Sequence, residues 1–166
     1  MKKTQISSEF ISINIALLTI SDSRTIENDK SGNLLQERII SIGHNLKERN
    51  IIKDDFKLIK QTFINLSNDP LIDAIISTGG TGLTGRDSTP EAVIELSEKM
   101  IDGFGELFRA LSYQEIGSSA MLTRACAGTA LGKILISIPG SENAVRLAME
   151  KLILPELGHL VREVSR

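Results

Sequence analysis

A single cysteine, Cys126, occurs in the 166-residue chain. An internal disulfide is therefore excluded, and the chain suits a reducing compartment. Ala125, Ala127 and Gly128 flank the thiol, so it reads as tightly packed and inert. Neither sign of charge dominates: the formal net charge is −2, with the signs interspersed. That leaves no basic stripe for nucleic acid and no polybasic run for an anionic membrane. No stretch approaches the ~20 apolar residues of a membrane span. The apolar run over residues 11–20 follows Met1-Lys2-Lys3, but polar residues break it, Asp22 follows at once, and no small-x-small cleavage site closes it. It reads as a buried strand rather than a leader, and a cytoplasmic location is the expectation. There is no Pro/Gly/Ser-rich linker, low-complexity tract or internal repeat. The length is that of one domain, with enough chain to bury roughly 70% of its unfolded surface. The expected organisation is a flexible amino-terminal arm over residues 1–10 and a single domain over residues 11–166.

What the chain does contain is a regular alternation of strand and helix patterns. Residues 13–21 are almost uninterrupted in apolar side chains, as a central parallel strand requires. Leu34, Leu35, Arg38, Ile39 and Ile42 give residues 30–42 a helical face, with Asp29 as cap and Gly43 as stop. Residues 44–52 read as a strand nearer an edge, 55–66 as a second helix, and 73–78 as a short third strand. At the next helix Thr89 is expected to cap, Pro90 to take the first position and Glu91 to complement the dipole. Residues 103–115 form a further amphipathic stretch and 133–138 a last clear strand. A final helical region over 142–163 is interrupted near Pro155. The pattern predicts an α/β fold: a three-layer, doubly wound, mostly parallel sheet with helices on both faces.

In such a sheet ligands bind beyond the carboxyl ends of the strands. Four loops then share one edge: Ser21-Asp22-Ser23-Arg24, Lys53-Asp54-Asp55, Thr78-Gly79-Gly80-Thr81-Gly82, and Pro139-Gly140-Ser141. Glycines at 79, 80 and 82 permit positive φ and let backbone N–H groups turn inward on an anion. Thr78 and Thr81 are expected to add hydroxyl donors, and the helix opening near Thr89 brings its positive end close. The loop follows neither Gly-x-Gly-x-x-Gly nor the Gly-Lys-Ser/Thr phosphate loop, against a dinucleotide fold or a P-loop hydrolase. Asp87 and Asp54 are the candidate acids. Carboxylates aimed at a phosphate repel it unless a cation such as Mg²⁺ lies between them. A turn or capping role is the competing reading for each, and Asp55 competes with Asp54. Arg24, Arg86 and Lys53 are placed to screen phosphate charge. His44 and His159 have no metal-ligand spacing, against a zinc site.

These loops, with Arg86-Asp87-x-Thr89-Pro90-Glu91-Ala92 and Gly103-Phe104-Gly105-Glu106-Leu107-Phe108-Arg109, occur in an order that strongly resembles the MoaB/MogA proteins of molybdenum cofactor biosynthesis. The resemblance covers residues 13–163. Ser112-Tyr113 and the closing Leu152-Ile153-Leu154-Pro155-Glu156-Leu157-Gly158-His159 place the chain nearer the MoaB branch. The resemblance implies a molybdopterin-binding domain that adenylylates molybdopterin with ATP and Mg²⁺ and releases pyrophosphate. It implies that the 78–82 loop grips phosphate, and that Asp54 and Asp87 match the family's two functional aspartates, as Mg²⁺ ligands or aids to substrate placement. Ser21, Asp22, Pro139, Gly140 and Ser141 then line the rest of the pocket. The alternative is a non-catalytic carrier of molybdopterin or its adenylate. A homotrimer or homohexamer is also implied, with other proteins of the pathway as candidate partners. Phe104, Phe108 and Tyr113 concentrate aromatic side chains in one stretch that serves either an interface or the core.

Overall fold

A computed structural model describes residues 9–166. The chain runs β1 (Asn14–Ile20), α1 (Lys30–Ile42), β2 (Asn45–Ile52), α2 (Phe56–Asn68), β3 (Ala74–Thr78), α3 (Thr89–Leu96), β4 (Lys99–Met100), α4 (Asp102–Ile116), β5 (Cys126–Ala130), β6 (Lys133–Ile138), α5 (Glu142–Ala148) and α6 (Leu154–Val164). The strands form one six-stranded sheet in the order β2-β1-β3-β6-β5-β4. Strands β2, β1, β3 and β6 are parallel, and β4 and β5 are antiparallel to their neighbours.

Alternation along the central strands divides the interior into two cores. In β1, Ile15 and Leu17 face α1, α4 and the carboxyl-terminal helices, while Ala16, Leu18 and Ile20 face α2 and α3. β3 and β6 divide likewise, with Ile76 and Ile136 on the first side and Ile75 and Leu135 on the second. Three layers follow because a strand buried on both faces needs helices on both. Asp29 caps α1 by accepting from the Gly32 N–H, and Gly43 ends it at φ +98°.

The structure corrects several local expectations. Residues 97–132 contain the short β4 and the strand β5. Thr89 does not cap α3: it is the first helical residue, Ser88 holds the cap position, and neither hydroxyl bonds the free N–H groups. The break near Pro155 is a single π-helical turn, Met149–Ile153, inside a continuous helix. Proline cannot donate to the preceding turn, and widening that turn absorbs the lost bond. Phe104 and Phe108 fill the core, whereas Tyr113 is exposed. Of the arm, residues 1–8 lie outside the described residues; Phe10 stacks on His44 with ring centres 5.2 Å apart.

Candidate active site at the strand ends

Strand register brings the loops together. Ile20 pairs with Ile52, Thr19 with Thr78, and Thr78 with Ile138, so four parallel strands stop at one edge. The chain leaves β1 for β2 on one side and then crosses to β3 on the other, which makes the gap between β1 and β3 the topological switch. A cavity of about 290 Å³ opens there, lined by Thr19, Ser21, Arg24, Asp29, Thr78 and Gly140, among others. A larger depression of about 440 Å³ between α3, α4 and β5 is lined by Arg109, Met121 and Cys126. Neither Asp54 nor Asp87 lines either of these cavities, so volume alone does not locate the chemistry.

The 78–82 loop is built tightly. Gly79 and Gly80 lie at φ +95° and +65°. A Cβ on Gly79 would overlap the Ile20 carbonyl oxygen, and one on Gly80 would overlap Thr89 Oγ1. The expected inward donors are only partly available. Gly79 N–H continues the sheet to the Ile138 carbonyl, and Thr78 donates its hydroxyl to the Pro139 carbonyl at 3.0 Å. Both groups are needed to seat the loop against β6.

Asp54 and Asp55 have different surroundings. Asp55 caps α2 by accepting from the Leu58 N–H at 2.9 Å. Asp54 turns towards the glycine loop, where its Oδ2 lies 3.2 Å from the place a Gly80 Cβ would occupy. Its Oδ1 is buried and has no partner among the described residues. Burial, and next the charge of Asp87, raise its pKa above the ordinary aspartate value; Asp22 adds to this, while the Ser88 N–H and Arg86 oppose it. Asp87 is held the other way. The Thr84 hydroxyl and N–H bond its Oδ2 at 2.5 and 3.0 Å, and the Thr84 hydroxyl bond above all lowers its pKa. Asp22 accepts from the Asp54 N–H at 3.3 Å and pairs with Arg86 at 2.5 Å.

The remaining candidates separate. Ser21 Oγ accepts from the N–H groups of Ser23 and Arg24, shaping the first loop around the cavity. Gly140 accepts from Ser31 Oγ at 2.6 Å. Pro139 and Ser141 border a neighbouring depression instead, and the Ser141 hydroxyl caps α5 by accepting from the Ala144 N–H. The cavity floor holds a buried ion pair: Arg49 reaches Asp29 at 3.1 Å, and the Thr19 hydroxyl bonds the same carboxylate at 2.6 Å.

Sequence reasoning missed Arg124. Its Nε donates to the Thr81 carbonyl at 3.1 Å, its Nη2 to the Asp87 carbonyl at 3.0 Å, and its Nη1 pairs with Glu91. Because β5 runs antiparallel to β6, its beginning lies at the edge where the parallel strands end. The usable signal was the hairpin turn at Leu131-Gly132, which sets that direction.

The match to known proteins follows this geometry. Residues 16–159 match the family described as a probable molybdopterin binding domain. A molybdenum cofactor biosynthesis protein B from Bacillus cereus is 51% identical over 155 residues, 93% of this chain and 92% of its own length. The chain belongs to the MoaB/MogA family of molybdenum cofactor biosynthesis proteins. A crystal structure of a molybdenum cofactor biosynthesis protein B superposes with a TM-score of 0.92 at 51% identity, covering 94% of this chain and 98% of the other. The tungsten cofactor synthesizing protein MoaB from Pyrococcus furiosus does so at 0.83 and 34% identity, over 93% and 98%. Among the described residues no helix is long and apolar enough to cross a membrane.

Among the described residues no three His, Cys, Asp or Glu side chains gather as a metal cage. Asp54 has a buried unpartnered oxygen and the charge of Asp87 acts on it, an arrangement that suits a hard cation keeping water and phosphate oxygens as its other ligands.

Proposed function

We propose that this protein is a molybdopterin adenylyltransferase that uses ATP and Mg²⁺. The phosphate of molybdopterin attacks the α-phosphorus of ATP, a new P–O–P link forms, the bond to the β-phosphate breaks, and pyrophosphate leaves. The nucleophile is already an anion, so positioning and charge neutralisation carry the reaction without a strong base. The observation that carries the reading is the pair of carboxylates set against the glycine loop, Asp54 beside Gly80 and Asp87 beside Gly82, at the sheet's switch point, with the charge of Asp87 acting on Asp54. Mg²⁺, when bound by these two carboxylates, neutralises phosphate charge. The 78–82 loop then holds phosphate, while Ser21, Asp22 and Gly140 shape the rest of the site. Names of the relatives support a place in cofactor biosynthesis. A cytoplasmic homotrimer or homohexamer belongs to the same proposal.

One observation favours a carrier instead. The Asp87 carboxylate is already engaged by Thr84, as in a purely structural turn. Pterin-dependent pyrophosphate release from Mg-ATP separates the two. Wild type should release pyrophosphate with molybdopterin and show negligible ATP hydrolysis without it. Asp54→Asn and Asp87→Asn should each lower turnover about 10²-fold, the scale of losing one transition-state electrostatic contact. Tight molybdopterin binding with no release would make the protein a carrier, and brisk phosphate release without pterin would remove the transferase assignment.

A further inference from the structure

We propose that a second depression, between the Ser21–Arg24 turn and the end of β2, holds the pyrophosphate that leaves in the transfer, with Arg24 and Lys53 as its cationic partners. The depression has a volume of about 470 Å³ and is lined by Arg24, Ile26, Arg49, Asn50 and Lys53, among others. Only Ser21 and Arg24 line both it and the cavity at the switch point, so the turn is a partition with one space on each side. On that partition the Ser21 hydroxyl accepts from the Ser23 and Arg24 N–H groups, and its own proton bonds nothing among the described residues. Lys53 directly precedes Asp54, and Asp22 accepts from the Asp54 N–H at 3.3 Å, which sets the depression against the acids.

Charge selects the occupant. Among the described residues of the wall, three are cations and one is an acid. Asp22, the acid, pairs with Arg86, and Arg49 is answered by Asp29 at 3.1 Å. Glu48, the next acid along β2, lies outside the wall and accepts from the Asn50 amide. Arg24 and Lys53 remain. Arg24 donates one N–H to the Asn28 carbonyl at 3.1 Å, and neither cation has a carboxylate partner among the described residues. Two unanswered cations in one hollow attract a polyanion.

The reaction explains why such a site stands apart. When the molybdopterin phosphate oxygen attacks the α-phosphorus, the bond from that phosphorus to the bridging oxygen breaks in line with the attack. Its electron pair stays on the oxygen, which becomes a terminal oxygen of pyrophosphate. Entering and leaving groups therefore need separate spaces on opposite sides of one phosphorus, and the partition at Ser21 divides two such spaces. Charge builds on the leaving group as the bond breaks, so cations on that side favour the transition state over the bound substrate. The inference rests on the adenylyltransfer reading for the identity of the leaving group.

Calorimetric titration of pyrophosphate, and in parallel of adenosine monophosphate, both with Mg²⁺, tests it on wild type, Lys53→Gln and Lys53→Arg. Lys53 is exposed, so both variants should melt as wild type does. Lys53→Gln should bind pyrophosphate about tenfold more weakly, the loss of one charge-assisted contact, and bind the monophosphate unchanged; Lys53→Arg should recover binding. Wild type that binds no pyrophosphate, or a Lys53→Gln variant that binds it equally well, overturns the proposal. A Lys53→Gln variant that loses pyrophosphate and the monophosphate alike overturns it too, because the depression would then hold the nucleoside side of ATP. Lysine-dependent pyrophosphate binding without pterin-dependent release keeps the diphosphate site and removes the transferase reading, and release without that binding does the reverse.

Discussion

Arg124 donates through Nη2 to the carbonyl oxygen of Asp87, 3.0 Å away, and the same guanidinium holds the Thr81 carbonyl through Nε. One side chain just ahead of β5 thus ties the glycine loop to the backbone of the second acid. Arg124→Lys keeps the charge but cannot span both carbonyls. Its pyrophosphate release should fall about tenfold, and amide exchange over residues 81–88 should quicken. Glu91→Gln, which removes an exposed ion pair and a first-turn charge of α3, should change stability by about 1 kcal/mol or less.

Gly79→Ala should be among the costliest small changes in the chain. The alanine would sit at φ +95° and overlap the backbone carbonyl of Ile20, so neither a rotamer change nor a side-chain shift relieves it. A loss of about 2 kcal/mol or more is expected in denaturant unfolding. Gly85→Ala is the control: a Cβ there meets nothing within 4 Å, and stability should hold.

Acidification should act through His44. Its Nδ1 accepts from the Ile13 N–H at 3.2 Å, which requires the neutral ring, and burial lowers its pKa below the ordinary 6.5. Between that lowered value and 6.5 the unfolded chain binds a proton that the native state refuses. Stability therefore rises with pH through this window, reaches its full value above it, and is lost on acidification. His44→Asn retains an acceptor and should flatten the slope of unfolding free energy between pH 5 and 7.

Cys126 should react slowly with alkylating reagents. Burial, and next Glu91, push its thiol up to about 11, against an ordinary cysteine near ~8.5. Thiolate fraction alone predicts labelling at pH 7 on the order of 10²-fold slower than a free thiol. Labelling at the rate of glutathione would show that the cavity wall opens.

The parallel half of the fold was legible because its signals are local: unbroken apolar strands, Asp29 and Gly43 at the ends of α1, and loops of small and acidic residues. Residues 97–132 were not. β4 is only Lys99–Met100, too short for periodicity, and β5 is Cys-Ala-Gly-Thr-Ala, whose residues, Thr129 apart, carry little strand preference of their own. Tertiary pairing with β6 makes it a strand. At the site, the pairing of Asp54 with the glycine loop rather than Asp55 depends on where α2 begins, and helix starts are least certain to within a residue or two. Hydroxyl partners were the least legible. Thr78 was expected to donate a hydroxyl and Ser141 to line the pocket; here Thr78 bonds the Pro139 carbonyl and Ser141 caps α5, and only coordinates show which partner a short side chain reaches.

The hairpin turn at Leu131 and Gly132, with φ +52° and +73°, also bears on how the molecule assembles. Among the described strands, β5 and β6 alone pair across a two-residue loop. Every other pairing must wait for a long crossover or for α4 to close. Hairpins form in roughly 1–10 μs, ahead of the slower closure of distant parallel strands. The β5–β6 ribbon is therefore the natural seed on which β3 and then β1 and β2 dock. In pulse-labelled refolding its amides should be protected first, and those of the β1–β2 edge last.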